Sequence, residues 1–210
     1  NRTLWNTSIS YPLMGSYWFI TPKITYSLTH YNDIKHARAE IDKSSTRSLP
    51  IYSLDTGLIF ERNSTVFGRE TEQTLEPRLF YAYIPYRNQR HMPNFDSSSA
   101  DLNFAELFTP NKYTGFDRIA NTNQLSAVLT TRYIDSGTGK EWFSATVGQR
   151  YYFTDEKVDL YWSNPGKTKN RSDVLAASQF SLFEGWRLEG AIQYSTEWSR
   201  ISKTSAGIRY

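Results

Sequence analysis

The sequence predicts an all-β chain: an antiparallel transmembrane β-barrel segment of about nine long strands. Three observations carry this. Side chains alternate at period two through almost every ordered stretch, as strands require and helices forbid. Most of these stretches run 10 to 15 residues, against a mean of about 5–6 in soluble proteins, and a tilted membrane strand needs about 9–11. The connections between them alternate short and long, as periplasmic turns and extracellular loops do in outer-membrane barrels.

The stretch 70–83, ETEQTLEPRLFYAY, shows the alternation best. One face carries Glu70, Glu72, Thr74, Glu76, Arg78, Phe80 and Ala82, and the other Thr71, Gln73, Leu75, Pro77, Leu79, Tyr81 and Tyr83. In a barrel the first set lines a wet lumen and the second meets lipid. Pro77 is the exception within it. Proline cannot donate to a ladder, so it predicts a bulge, a locally unpaired stretch or a weakened seam.

In chain order, 3–11 is the first strand and 11–16 a Pro/Gly turn. Segment 17–31 follows, with Trp18, Ile20, Ile24, Tyr26 and Leu28 on its apolar face, and then the charged loop 32–48. Strand 50–62 sets Tyr52, Leu54, Thr56, Leu58 and Phe60 against Ser53, Asp55, Gly57 and Glu61. A connection at 63–68 leads into 70–83. The loop 84–122 is far longer than compact domains usually hold, with 100–108 a candidate short helix. Strands at 123–133 and 140–153 flank the turn at 135–139. After a third long loop, 154–171, come strands 172–183, 186–198 and 201–210. Within the third loop, 158–162 is a candidate extension of the neighbouring strands. The rhythm places the N-terminus at the extracellular end and the short turns at the periplasmic end. Leu54, Leu58, Leu75, Leu79, Leu129, Leu188 and Ile192 are expected to face lipid. The lumen wall is expected from Asp55, Glu70, Glu72, Glu76, Arg78 and Arg132.

Composition narrows the function. Aromatics reach 16% while mean hydropathy is −0.59, as expected where only every second residue faces lipid. A soluble all-β carbohydrate-binding domain has similar composition and remains an alternative, as does a small complete outer-membrane barrel of porin or adhesin type. The formal charge of +3, from 24 basic and 21 acidic residues, lacks the concentrated basic patch of a nucleic-acid binder. Cysteine is absent, which excludes disulfides and thiolate metal sites within these residues. The chain opens on Asn1 without a signal-peptide pattern, the expectation for a processed chain or a piece of a longer one.

Little in the chain points to covalent chemistry. His30, His36 and His91 match no metal-ligand spacing, and no metal or cofactor is expected. The Gly137-Thr138-Gly139 run lacks the further glycine and helix of a phosphate loop. Glu70, Glu72 and Glu76 share one face as a glycosidase pair would, but their even spacing along one strand, with Arg78 next, describes a solvated wall. The chain is not expected to be an enzyme.

Three stretches carry a resemblance: SLPIYSLDTGL at 48–58 with FER at 60–62, TLEPRLFYAYIPYRNQ at 74–89, and TGFDRIANTNQL at 114–125. They resemble the barrel domain of the LptD family, the lipopolysaccharide-assembly outer-membrane proteins also called organic solvent tolerance proteins. The resemblance implies a 26-stranded barrel behind an N-terminal periplasmic jelly roll, with an LptE-like lipoprotein plugging the lumen. It implies that lipopolysaccharide arrives over a periplasmic bridge protein, enters through the jelly roll and leaves between the first and last strands. Nine strands are then an open middle portion of that barrel, surrounded by outer-membrane lipids, with 3–11 and 201–210 as free edges. The loop 84–122 holds enough apolar residues to fold back against the inner wall. Asp117, Arg118, Tyr86 and Phe116 are its candidate contacts to wall or plug. Arg118 is expected to lock the loop base, and 32–47 to matter little.

Overall fold

The computed structural model describes residues 1–32, 44–160, 169–183 and 185–210, without the side chains of Leu182 and Phe183. His36, the tip Asn164-Pro165-Gly166 and most of the first long loop lie outside them. The chain forms β1 (Arg2–Ser10), β2 (Leu13–Met14), β3 (Trp18–Tyr31), β4 (Ser45–Leu58), β5 (Phe60–Val66), β6 (Arg69–Ile84), β7 (Thr122–Asp135), β8 (Glu141–Tyr152), β9 (Val174–Phe183), β10 (Trp186–Ser195) and β11 (Arg200–Arg209). All pair antiparallel in one sheet, ordered β1-β3-β4-β6-β7-β8-β9-β10-β11, with β2 beside β3 and β5 beside β6. β1 and β11 stand at its opposite ends and do not pair with each other. This is an open portion of a sheet, not a small closed barrel.

Register confirms the alternation. Residues directly opposite in a ladder share a face. One cross-strand row runs Gln73, Tyr133, Phe143, Phe180, Leu188, Ile208, and another Pro77, Leu129, Val147, Ala176, Ile192, Thr204. Leu54, Leu58, Leu75 and Leu79 fall on the same face. On the opposite, polar face lie Asp55, Glu70, Glu72, Glu76, Arg78 and Arg132. Near the short turns the apolar face carries an aromatic cluster. A register shift beside Tyr133 places Trp142 against Tyr133, with ring centroids 5.4 Å apart, and against Phe180 at 5.9 Å.

Four expectations about elements are corrected. Strand 50–62 begins earlier, at Ser45, so the loop predicted at 32–48 ends before Arg47. It also breaks at Ile59 and continues as β5 to Val66. The β4–β6 ladder stops at Gly57 opposite Arg78, and the β5–β6 ladder starts at Phe60 opposite Leu75. The register sum is the same on both sides, so no residue is inserted. The gap faces Glu76 and Pro77, while on its other side the chain keeps its register with β3, the Ile59 N–H donating to the Tyr17 carbonyl at 2.8 Å. Pro77 therefore makes a locally unpaired stretch. Its missing N–H removes the bond that would have bridged the gap. The connection expected at 63–68 shrinks to Phe67-Gly68, whose φ values of 51° and 77° give the turn that suits the right-handed twist of a hairpin. Third, the helix expected at 100–108 is only a 3-10 turn, Glu106–Phe108. The Asn103 side chain accepts the Glu106 N–H at 3.0 Å, and Pro110 stands just beyond, where a longer helix would need its N–H. Of the expected extension at 158–162, Tyr161 and Trp162 lie outside the described residues, and Val158 and Leu160 extend no strand; both are buried against Tyr113 and Ala120 in the loops.

Candidate functional site

The loop between β6 and β7 folds back across the polar face as a strap. Leu107 is fully buried with Val128 and Leu175 of the sheet. It sits over Gly148, where a Cβ would come within 2.8 Å of its Cδ1. Ile119 packs on Leu49 and Ile84. These contacts need small or apolar residues among the inward positions of β4, β6, β7 and β8, and alternation supplies them.

Polar clamps fix the strap at two places. At its base the Asp117 carboxylate is fully buried. It accepts from the Tyr31 hydroxyl at 2.5 Å, Arg2 at 2.8 Å, and the Phe95 and Asp96 N–H groups at 2.6 and 2.9 Å. A buried carboxylate is stable when its lone pairs are occupied in this way. Arg47, from β4, reaches up from the sheet. Its two terminal nitrogens donate to Gln89 Oε1 (2.9 Å), the Asp117 carbonyl (2.7 Å), Thr29 Oγ1 (3.0 Å) and the Phe116 carbonyl (2.6 Å). Gln89 closes the ring by donating to the Ile119 carbonyl at 2.7 Å. Farther along, Arg150 of β8 donates to the Glu106 carbonyl, to the Thr109 carbonyl at 3.3 Å and to Ser126 Oγ at 3.2 Å.

Arg118 makes its guanidinium hydrogen bonds within the strap. Its guanidinium donates to the Met92 and Pro93 carbonyls at 2.7 and 2.9 Å, bracing one arm of the strap against the other. Burial holds it below the usual arginine range. Asp96 bridges to Arg2 at 2.7 Å and accepts the Phe116 and Asp117 N–H groups. Burial pushes its carboxyl up, but Arg2 and those N–H groups outweigh it and hold it at about 2. Gly115 makes this approach possible. Its φ is +70°, and a Cβ there would lie 2.4 Å from the Asp96 carbonyl oxygen. Tyr113 donates to Glu156 and to the Val158 carbonyl, both at 2.7 Å. Its hydroxyl pKa is raised by burial and then by Glu156.

Below the strap the expected wall residues form ion pairs. Arg78 grips Asp55 through both oxygens, at 2.9 and 2.5 Å. The Phe108 ring lies 3.7 Å over its guanidinium. Arg132 bridges Glu76 at 3.0 Å and Glu141 at 2.9 Å. Glu70 and Glu72 continue this face toward the Phe67-Gly68 hairpin.

The family described as LPS transport system D, LptD, matches residues 1–210. The chain belongs to the LptD family. It is 41% identical over 214 residues to the LPS-assembly protein LptD of Paraburkholderia xenovorans, a match covering 100% of this chain and 27% of that protein. The figure is 41% over 212 residues for the namesake of Burkholderia thailandensis, with 100% and 27% covered. For that of Cupriavidus necator it is 38% over 208 residues, with 97% and 26% covered. This LptD segment spans about a quarter of the length of these curated relatives.

Of the strap residues singled out in this LptD chain, Asp117 and Arg118 lie at its buried base. Phe116 contributes its carbonyl, while its ring is half exposed. Tyr86 is also half exposed, with Lys157 5.7 Å from its ring centroid. Arg47 is a correction: 32–47 was expected to matter little, yet Arg47 is the wall's main hold on the strap base. The available signal was parity, because Arg47 keeps step with Leu49, Ser53 and Asp55. Arg2, Tyr31 and Arg150 left no such signal, since their partners are distant in sequence.

Proposed function

We propose that this segment is a piece of the barrel wall of an LPS-assembly protein of the outer membrane. Its apolar face meets lipid and its polar face lines the lumen, with the strap folded inside. The observation that carries the reading is the two-sidedness of the open sheet. One face is apolar and uncovered, with aromatic residues toward its ends. From Tyr52 to Phe60 it runs through about nine residues, the lower end of the about 9–11 that a tilted membrane strand needs. The other face is polar and carries the strap. The remaining wall comes from the parts of the protein that this chain does not span, and 1–210 is one partial barrel domain.

The role is passive. The segment separates lipid from a wide polar lumen, and the strap narrows that lumen and offers a fixed surface to an LptE-like plug lipoprotein. Asp55, Glu70, Glu72, Glu76, Arg78 and Arg132 form the wet wall, and the exposed rings of Tyr86 and Phe116 are the strap's contacts toward the plug. Asp117 and Arg118 hold the strap in shape. The substrate is lipopolysaccharide, delivered by a periplasmic bridge protein to the protein's N-terminal domain. No covalent step is assigned to any residue.

Single cysteines in the full-length protein test the faces. Glu72→Cys should react with a water-soluble maleimide in intact outer membranes, and Leu79→Cys only with a lipid-soluble one. The opposite pattern would overturn the assignment.

A further inference from the structure

Strand β5 runs on past the strands beside it. β3 begins at Trp18, opposite Leu58, and the turn before it closes through Leu13-Met14 on the far side of β3. The seven residues Phe60–Val66 therefore pair with β6 alone. At about 3.3 Å per residue they carry the hairpin about 23 Å beyond Trp18. Backbone groups alternate between the two edges of a strand. The Ile59 N–H points away from β6, to the Tyr17 carbonyl, so those of Glu61, Asn63 and Thr65 point the same way. The two-residue turn Phe67-Gly68 makes Val66 and Arg69 a bonded pair and requires the same parity. Among the described residues nothing pairs with this outer edge. Proteins commonly blunt such an edge with a lysine, a proline or a bulge, and Phe60–Val66 has none of them. Both faces of the hairpin are polar here. Glu61, Asn63 and Thr65 lie with Glu70 and Glu72 on one face, and Arg62 and Ser64 with Thr71 and Gln73 on the other, so the edge stands in water.

We propose that the outer edge of β5 takes up an extended basic polypeptide segment as an added strand. Main-chain bonds to residues 61, 63 and 65 supply the affinity, and alternate side chains the specificity. The charge of the occupant follows from one face. Glu61, Glu72 and Glu70 lie on it in successive rows, opposite Thr74, Asn63 and Thr65. Among the described residues no cation pairs with them, whereas Glu76, next on that face, is held by Arg132. An added strand puts every second side chain on the same face. Lysines or arginines at those positions meet Glu61 directly and pass the short Asn63 and Thr65 side chains toward Glu72 and Glu70. Arg62, on the other face, is committed to Gln73 at 2.8 Å. The periplasmic placement of the edge rests on the barrel-wall reading. There the remaining wall joins at β1 and β11 and leaves this mid-sheet edge open.

The test uses the full-length protein in complex with its plug, in detergent. The probe is a fluorescent nine-residue peptide in which lysine alternates with threonine. Its controls are the same peptide with glutamate for lysine and a fully N-methylated version, which cannot donate to a ladder. Wild type should bind the lysine peptide, more weakly as salt rises, and neither control. Asn63→Pro removes an N–H that does not bond to β6, a place where an edge strand tolerates proline. It should bind the lysine peptide roughly tenfold more weakly, the worth of one to two main-chain hydrogen bonds. Glu61→Gln/Glu72→Gln should also weaken binding and flatten its salt dependence. Absence of binding to wild type, equal binding of either control peptide, or unchanged affinity in Asn63→Pro would each overturn the proposal. So would self-association of wild type that Asn63→Pro abolishes, which would make a second copy the occupant. Should Asn63→Pro fail to fold, the N-methylated peptide on wild type decides. Heat-modifiable gel migration keeps the two readings apart. A protein that migrates as a closed barrel yet ignores the peptide loses only this edge, whereas one that binds the peptide without heat-modifiability keeps the edge and loses the wall reading.

Discussion

Arg47 shows how much one side chain can hold. The four hydrogen bonds of its terminal nitrogens reach two strap carbonyls, one strap amide and one neighbouring strand. Removing it leaves buried acceptors without donors, the costly half of any buried hydrogen bond. Arg47→Ala should cost on the order of 3 kcal/mol and make 84–122 sensitive to limited proteolysis. Arg47→Lys should not rescue it, because a point charge cannot serve both carbonyls as the planar fork does. An exposed control, Arg62→Ala, should leave protection unchanged. Asp96 sets the acid limit of the same clamp. Its folded pKa of about 2 lies below the ordinary aspartate value of about 3.9. Its contribution is therefore fully present above pH ~4 and disappears as pH falls through ~2. Protease protection of the strap base should be equal at pH 7 and pH 5 and decline between pH 4 and 2. In Asp96→Asn that acid-dependent component should be missing; an identical decline in the variant would place the titrating group elsewhere.

Among the elements, β6 is the most informative. Pro77 leaves the seam toward Leu58 and Ile59 unpaired while β7 stays in register on its other side. Pro77→Val restores an N–H that faces the Leu58 carbonyl and suits a strand, so the new amide and that of Leu58 should gain protection. The expected gain in stability is about 0.5–1.5 kcal/mol, one hydrogen bond's net worth. An unprotected amide at position 77, with unaltered exchange at Leu58, would mean the gap has another cause. The proline's effect was legible in sequence because it follows from one missing atom. The faces of the strands were legible for a similar reason: period two needs only local order, and Leu75, Leu79 and Tyr81 declare their side unaided. The start of β4 was not legible, because Ser45-Thr46-Arg47-Ser48 is polar throughout and reads as loop. It is strand because Tyr31 pairs with Ser45, and because the Arg47 donors are satisfied by carbonyls some 70 residues away. The short 3-10 turn was over-read as a helix for the converse reason. Its apolar residues are spaced to meet Val128, Leu175 and Gly148 rather than one another.

At the scale of the whole molecule the strap joins regions that the sheet alone keeps apart. Arg118→Ala, which breaks the brace within the strap, should weaken co-purification of the plug with the full-length protein. Shortening 84–122 should weaken it further. Full recovery in both would remove the strap from plug assembly. One contact has a consequence in time. Arg2 belongs to β1, and the carboxylates it meets are 94 and 115 residues away. Loop closure over such separations is slow and comes after local pairing. Asp117 gains its Arg2 and Tyr31 donors only when β1 and β3 are in register and the strap has already turned back on itself. The knot at Asp117 is thus tied last. A chain with a misregistered β1 keeps a loose strap and an exposed, protease-sensitive flag, so the same contact that fastens the finished wall also records that it was assembled correctly.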